Sequence, residues 1–177
     1  MDINQPELEI FKKNYIAGKN QLLFHTFAAD VHTPVSALIK LKEEDYTFLF
    51  ESVEKGSQKG RYSVIGLKPD LIWECKNNIC KFKNLNISSK SKILKTDPLD
   101  SLKNLFNSNN LKLPNIIPSI SSGFFGYMGY EMIRYFENVN LKKLNSLDLP
   151  DSIFIRPSIT LVFDLSLIHI SEPTRPI

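Results

Sequence analysis

Apolar positions recur along this chain at two spacings, and the change from one to the other divides it into helical and extended stretches. Over residues 6–17, Leu8, Phe11 and Tyr15 fall on one helical face, Pro6 suits a first helical position, and Gly18 is a good stop. Thr33-Pro34 is a second start signal, with Thr33 as cap and apolar residues running to Leu41. Asp97-Pro98 opens a third helix, whose buried stripe is expected at Leu99, Leu102, Leu105 and Phe106. Extended runs are expected over residues 22–27, 46–50, 61–65, 71–76, 79–83 and 153–164, the last interrupted at Pro157. The run 46–50 is aromatic and apolar and ends on Glu51 and Ser52. Residues 53–59 lack an apolar period and read as a surface loop, and the run 61–65 closes at Gly66 and a Lys68-Pro69 turn.

Asn77-Asn78 makes a good two-residue hairpin turn, because both positions tolerate φ > 0. That turn sets Cys75 opposite Cys80, in the non-hydrogen-bonded pair next to it. The second arm alternates Ile79, Lys81 and Lys83 against Cys80 and Phe82, which marks a sheet with one wet face. Helices and hairpin-paired strands mix without a regular βαβ alternation. The expected fold class is therefore α+β: a mixed, largely antiparallel sheet with packed helices, half of a two-layer sandwich.

Residues 119–137 place Gly123, Gly126 and Gly129 three apart among aromatics. The segment is not a phosphate loop, since it lacks both the Gly-Lys-Ser/Thr ending and the Gly-x-Gly-x-x-Gly order. Its glycines are expected to permit close backbone packing of a central strand, which turns into a helix over 131–137 with Met132, Ile133 and Phe136 inward. Residues 107–118, rich in Asn and Pro, are the best candidate for a seam between subdomains.

Composition narrows the function classes. The chain has 177 residues, 42% of them hydrophobic and 23% charged, enough for one packed domain. A net charge of +3 without a basic stripe argues against nucleic acid. No apolar run reaches the length of a membrane span, and Met1-Asp2-Ile3-Asn4 lacks a basic-then-apolar leader. The expected compartment is the cytoplasm, where Cys75 and Cys80 stay as thiols, and with no histidine nearby they make a poor zinc site. His25 and His32 have no partner at catalytic spacing and read as structural or solvated.

The candidate site residues are Glu51, Ser52 and Arg61. A strand–loop–strand brings an acceptor, a hydroxyl and a fixed cation to one end of a sheet, which suits a zwitterion better than a reacting centre. The same spacing is also that of a plain hairpin carrying a solvated salt bridge.

Four segments together resemble the amino-terminal half of the anthranilate synthase component I family. They are Thr33-Pro34-Val35-Ser36-Ala37, Phe50-Glu51-Ser52-Val53-Glu54, Gly60-Arg61-Tyr62-Ser63-Val64-Ile65-Gly66 and Gly123-Phe124-Phe125-Gly126-Tyr127-Met128-Gly129-Tyr130-Glu131. Asp148-Leu149-Pro150-Asp151 and Thr160-Leu161-Val162-Phe163-Asp164 follow in the family's order. Aminodeoxychorismate synthase component I, the folate-pathway relative, shares some of these segments, and a free-standing binding module is a third reading.

The resemblance implies a chorismate-utilising subunit of tryptophan biosynthesis, partnered by a glutamine amidotransferase and feedback-inhibited by tryptophan. It implies that Glu51 and Ser52 sit in the tryptophan pocket and that Arg61 is the counterpart of the basic residue that follows. It also implies that the catalytic groups and the Mg²⁺ ligands belong to the carboxy-terminal half, so this part regulates and is inactive alone. Residues 1–164 are expected to form the domain. Residues 165–177 resemble translated sequencing-adaptor read-through and are set aside from fold reasoning.

Overall fold

The structure is a computed structural model that describes residues 8–41, 45–52, 60–87, 90–109, 111, 113–139 and 147–165. Two helices come first, α1 (Leu8–Ile16) and α2 (Pro34–Leu41), followed by the strands β1 (Phe48–Phe50), β2 (Tyr62–Lys76), β3 (Ile79–Asn84) and β4 (Lys92–Leu94). Helix α3 (Pro98–Ser108), a 3-10 turn at Ser119–Ser121, β5 (Phe125–Met128), a short 3-10 helix over Tyr130–Tyr135 and β6 (Ser152–Asp164) complete the order. Every described strand pair is antiparallel, and the sheet runs β4-β3-β2-β6-β5, with β1 beside β2 as well. Sheet and packed helices make this an α+β fold.

Local chemistry sets the helix ends where the pattern places them. Gly18 takes φ 64°, and Lys19 N–H bonds to Asn14 O while Gly18 N–H bonds to Tyr15 O, a glycine-terminated helix stop. Thr33 Oγ1 accepts from Ser36 N–H at 3.1 Å and Ser36 Oγ accepts from Thr33 N–H at 2.9 Å, a reciprocal cap for α2. Asp97 accepts from Leu99 N–H at 2.9 Å, with Pro98 in the first turn of α3. Asn77 and Asn78 both have positive φ, 52° and 67°, and Cys75 pairs with Cys80 as the turn requires.

The two breaks expected at Lys68-Pro69 and Pro157 turn out to be one feature. β2 does not end there: it continues to Lys76, and Pro69 lies opposite Pro157 on β6. Neither proline has an N–H to give, so the ladder is weakest at this rung, and its register shifts between Pro69 and Leu71. Lys68 adopts φ 49° here, and Arg156 locks the kink by donating to both Asp70 carboxylate oxygens, at 2.8 and 2.6 Å, and to Asn109 at the end of α3.

Beyond the kink lies a hydrophobic core cluster. Trp73, Cys75 and Cys80 from the hairpin pack with Leu102 and Leu105 of α3 and with Met132, and Phe82, Phe124, Tyr135 and Phe154 surround them. Ser101 is buried beside these residues and accepts the Trp73 indole N–H at 2.8 Å.

Four further expectations change. Residues 22–27 form no strand, and Leu23 and Phe27 stay exposed. β5 is an edge strand rather than a central one, because its far side has no described partner. The helix expected over 131–137 is a 3-10 helix at Tyr130–Tyr135; Met132 is buried, but Phe136 is 61% exposed. Tighter winding at three residues per turn brings only one position in six fully inward. Finally, Phe106 on the expected buried stripe of α3 is 43% exposed, although its ring meets Phe124 and Phe154 edge-on.

Candidate functional site at the rim of β1 and β2

β1 and β6 flank the first part of β2 on opposite edges: Gly66 pairs with Phe48 on one side and with Thr160 on the other. The candidate residues divide between those edges. Ser52 follows β1, and its N–H reaches Ser63 Oγ on β2 at 3.4 Å. Its hydroxyl lies against Gly60 so closely that a Cβ there would overlap Ser52 Oγ. Glycine at position 60 is therefore what lets the two sides of the 53–59 connection come together; that loop itself lies outside the described residues.

Arg61 turns to the other edge. Its guanidinium forks onto Asp164, with Nε to Oδ1 at 3.1 Å and Nη2 to Oδ2 at 2.8 Å, and it stacks over the Tyr62 ring at 4.8 Å. The hydrogen bond to Asp164 raises the Arg61 pKa further above its ordinary value. Ser52 is thus brought to Gly60 and Ser63, Glu51 stands exposed beside it, and the cation is held by a carboxylate on β6. The plain salt bridge that the spacing also allowed is present, though Asp164 rather than Glu51 supplies the acid.

Beside the polar rim is an aromatic wall that sequence reasoning did not assemble. Phe48 and Phe125 have ring centroids 4.9 Å apart, Phe48 and Phe50 5.0 Å, and Phe50 and Phe125 6.2 Å. Phe50 remains 46% exposed, so the wall has an open side. The Phe48 ring lies over Gly66, where a side chain would displace it. Phe125 is distant in sequence, and only the β5–β6 pairing brings it here, which is why no local signal could have named it. Ser63 was readable as a neighbour, since any strand-loop-strand pairing sets it across from residues 51–52.

The arrangement offers a hydroxyl, a carboxylate and an aromatic surface with an open side, a combination suited to holding a small molecule with one apolar and one polar end. Among the described residues no group of three or more His, Cys, Asp or Glu could hold a metal ion. No described helix is long and apolar enough to cross a membrane. His25 and His32 are both exposed.

The sheet, its helices and this rim define an α+β domain with a candidate small-molecule edge. No protein-family model matches the chain. Curated relatives do: anthranilate synthase component 1 of Cereibacter sphaeroides is 38% identical over 159 residues, covering 88% of this chain and 32% of that protein. The namesake from Thermus thermophilus is 33% identical over 153 residues, covering 85% of this chain and 31% of its own. The crystal structure of anthranilate synthase component I from Streptococcus pneumoniae matches with a TM-score of 0.50 at 20% identity, over 83% of this chain and 30% of that one, a likeness of fold. The chain is thus homologous, over most of its length, to a part of anthranilate synthase component I. It spans about a third of the length of these curated relatives.

Proposed function

We propose that this chain is the feedback-regulatory, amino-terminal part of anthranilate synthase component I in the cytoplasm. The complete subunit would convert chorismate, with ammonia supplied from glutamine by an amidotransferase partner, to anthranilate and pyruvate for tryptophan synthesis. The catalytic groups and the Mg²⁺ site would lie in the remaining part of that subunit. Glu51 and Ser52 would form one side of the tryptophan pocket, binding the ammonium and carboxylate ends. Arg61 would join them at the rim only by sharing its guanidinium with Asp164.

The observation that carries this reading is the 38% identity spread over 88% of the chain. Phe48, Phe50 and Phe125 add a surface suited to an indole, which prefers offset or edge contact with aromatic rings. The relatives reported all carry the anthranilate synthase name, which favours this over the folate-pathway reading.

Magnitudes say what the part can do alone. Burying an indole of about 150–250 Å² at about 25 cal/mol/Å² gives roughly 4–6 kcal/mol. Charge-assisted hydrogen bonds add about 1.5–3 kcal/mol each, while lost translational and rotational freedom costs about 4 kcal/mol or more. A one-sided pocket keeps only a fraction of the favourable terms. Calorimetric titration with L-tryptophan is the test: the intact subunit binds it, and the 177-residue chain alone binds negligibly. An intact subunit that neither binds tryptophan nor is inhibited by it would overturn the reading.

A further inference from the structure

Cys75 and Cys80 have no part in the function proposed above, yet the fold places them with care. The Asn77-Asn78 turn fixes a register in which Lys76 pairs with Ile79 and Cys75 with Cys80. The rung next to the closing pair is a non-hydrogen-bonded one, where opposite Cα atoms come about 4.5 Å apart, within the span of a disulfide. The two thiols face each other within one core cluster, and neither exposes any surface. Cys80 also meets Ser101 of α3, while Cys75 meets the Tyr135 hydroxyl, which is buried without a hydrogen-bond partner of good geometry. The pair therefore sits where the hairpin touches both of the elements that cover it.

We propose that Cys75 and Cys80 form a closable dithiol, converted to a cross-strand disulfide by a hydroperoxide small enough to enter when the hairpin loosens. In the first step one sulfur attacks the peroxide: an S–O bond forms, the O–O bond breaks, and the leaving hydroxide departs as water with the thiol proton. In the second, the other sulfur attacks the sulfenic sulfur: the S–S bond forms, the S–O bond breaks, and the second water leaves with the remaining thiol proton. Two thiols and one hydroperoxide thus give one disulfide and two waters when the oxidant is hydrogen peroxide, a two-electron exchange. Burial keeps both thiols protonated and shielded in the packed state, so opening of the hairpin gates the reaction. Closure draws both sulfurs together and away from Ser101 and Tyr135, loosening α3 and the 3-10 helix against the sheet.

The chain carries its own reporter. Trp73 is its single tryptophan, fully buried in the same cluster and held by Ser101. Its emission shows whether the core is packed before oxidation and changes when the disulfide forms beside it. The experiment treats the full 177-residue chain with hydrogen peroxide and reads intact mass, Trp73 emission and a tryptic map. Trypsin cuts after Lys76 and Lys81 and separates the two cysteines. The expected result is a loss of about two mass units, a disulfide linking the two tryptic peptides, altered emission, and full reversal by dithiothreitol. Cys80→Ala should abolish the mass loss. Oxygen added to the separate cysteines without a cross-link would overturn the proposal. So would reduced, unlinked peptides after peroxide treatment that oxidises the unfolded chain. The wild-type map decides the matter even if the alanine variant does not fold.

Discussion

The Trp73 indole donates a 2.8 Å hydrogen bond to Ser101 Oγ, joining the centre of β2 to the inner face of α3. Both residues are buried, Trp73 entirely. Ser101→Ala leaves the indole N–H without a partner in an apolar cluster, a loss of about 1–3 kcal/mol. For a chain of this size that lowers the melting temperature by roughly 2–12 °C. Thermal unfolding followed by Trp73 emission checks it, and an unchanged midpoint would show that the bond adds nothing.

Gly126 lies where β5 meets β6, and a Cβ there would overlap the Ile153 carbonyl oxygen. Backbone cannot swing aside as a side-chain tip can, so Gly126→Ala should cost about 1–3 kcal/mol or more. Gly18→Ala is the contrast: nothing crowds that site, and only its φ of 64° opposes the change, at about 1 kcal/mol. Urea midpoints of the two variants should rank in that order.

Alkaline pH should weaken the fold through the buried thiols. Burial pushes the Cys75 pKa from 9.0 to about 12, with Cys80, Tyr135 and Asp151 as its neighbours. The unfolded chain therefore loses this proton first. The contribution is complete below pH 9 and falls away as pH rises towards 12, by up to about 1.4 kcal/mol per pH unit. Tyr135, pushed from 10.0 to about 12, acts in the same direction at higher pH. Urea unfolding at pH 8 and pH 10.5 should show the loss in the wild type and a smaller one in Cys75→Ala.

Arg61 is 59% exposed and held by Asp164 at the chain's surface. Exposed pairs of this kind add little to stability. Arg61→Met should leave the melting temperature unchanged while shifting tryptophan sensitivity of the intact subunit, if the guanidinium is shared with the inhibitor. A change in melting without a change in sensitivity would make the pair purely structural.

The parts of this fold that were readable are those whose causes are local. The caps at Thr33 and Asp97, the stop at Gly18 and the Asn77-Asn78 turn each depend on a few adjacent residues, and each stands as the pattern indicates. Long-range pairings were not readable. Pro69 and Pro157 both looked like strand ends, and nothing in either segment says that they face each other across one kink. The Arg61–Asp164 pair spans 103 residues, and Phe125 reaches the β1 wall only through the β5–β6 ladder. Residues 22–27 had strand-like character but found no described ladder partner. At the candidate site, the position of Glu51 and Ser52 at a strand end was legible from one strand and one loop, whereas the aromatic wall and the commitment of Arg61 to Asp164 were not.

The Ser52 rim is proposed to hold an amino acid that regulates and does not react. Tryptophan inhibition curves of the intact subunit carrying Ser52→Phe, read through anthranilate formation, put that proposal to the test. Turnover should stay close to that of the unaltered subunit, with the inhibition lost or shifted to much higher tryptophan. A variant that loses turnover while the remaining activity keeps its full sensitivity would contradict it.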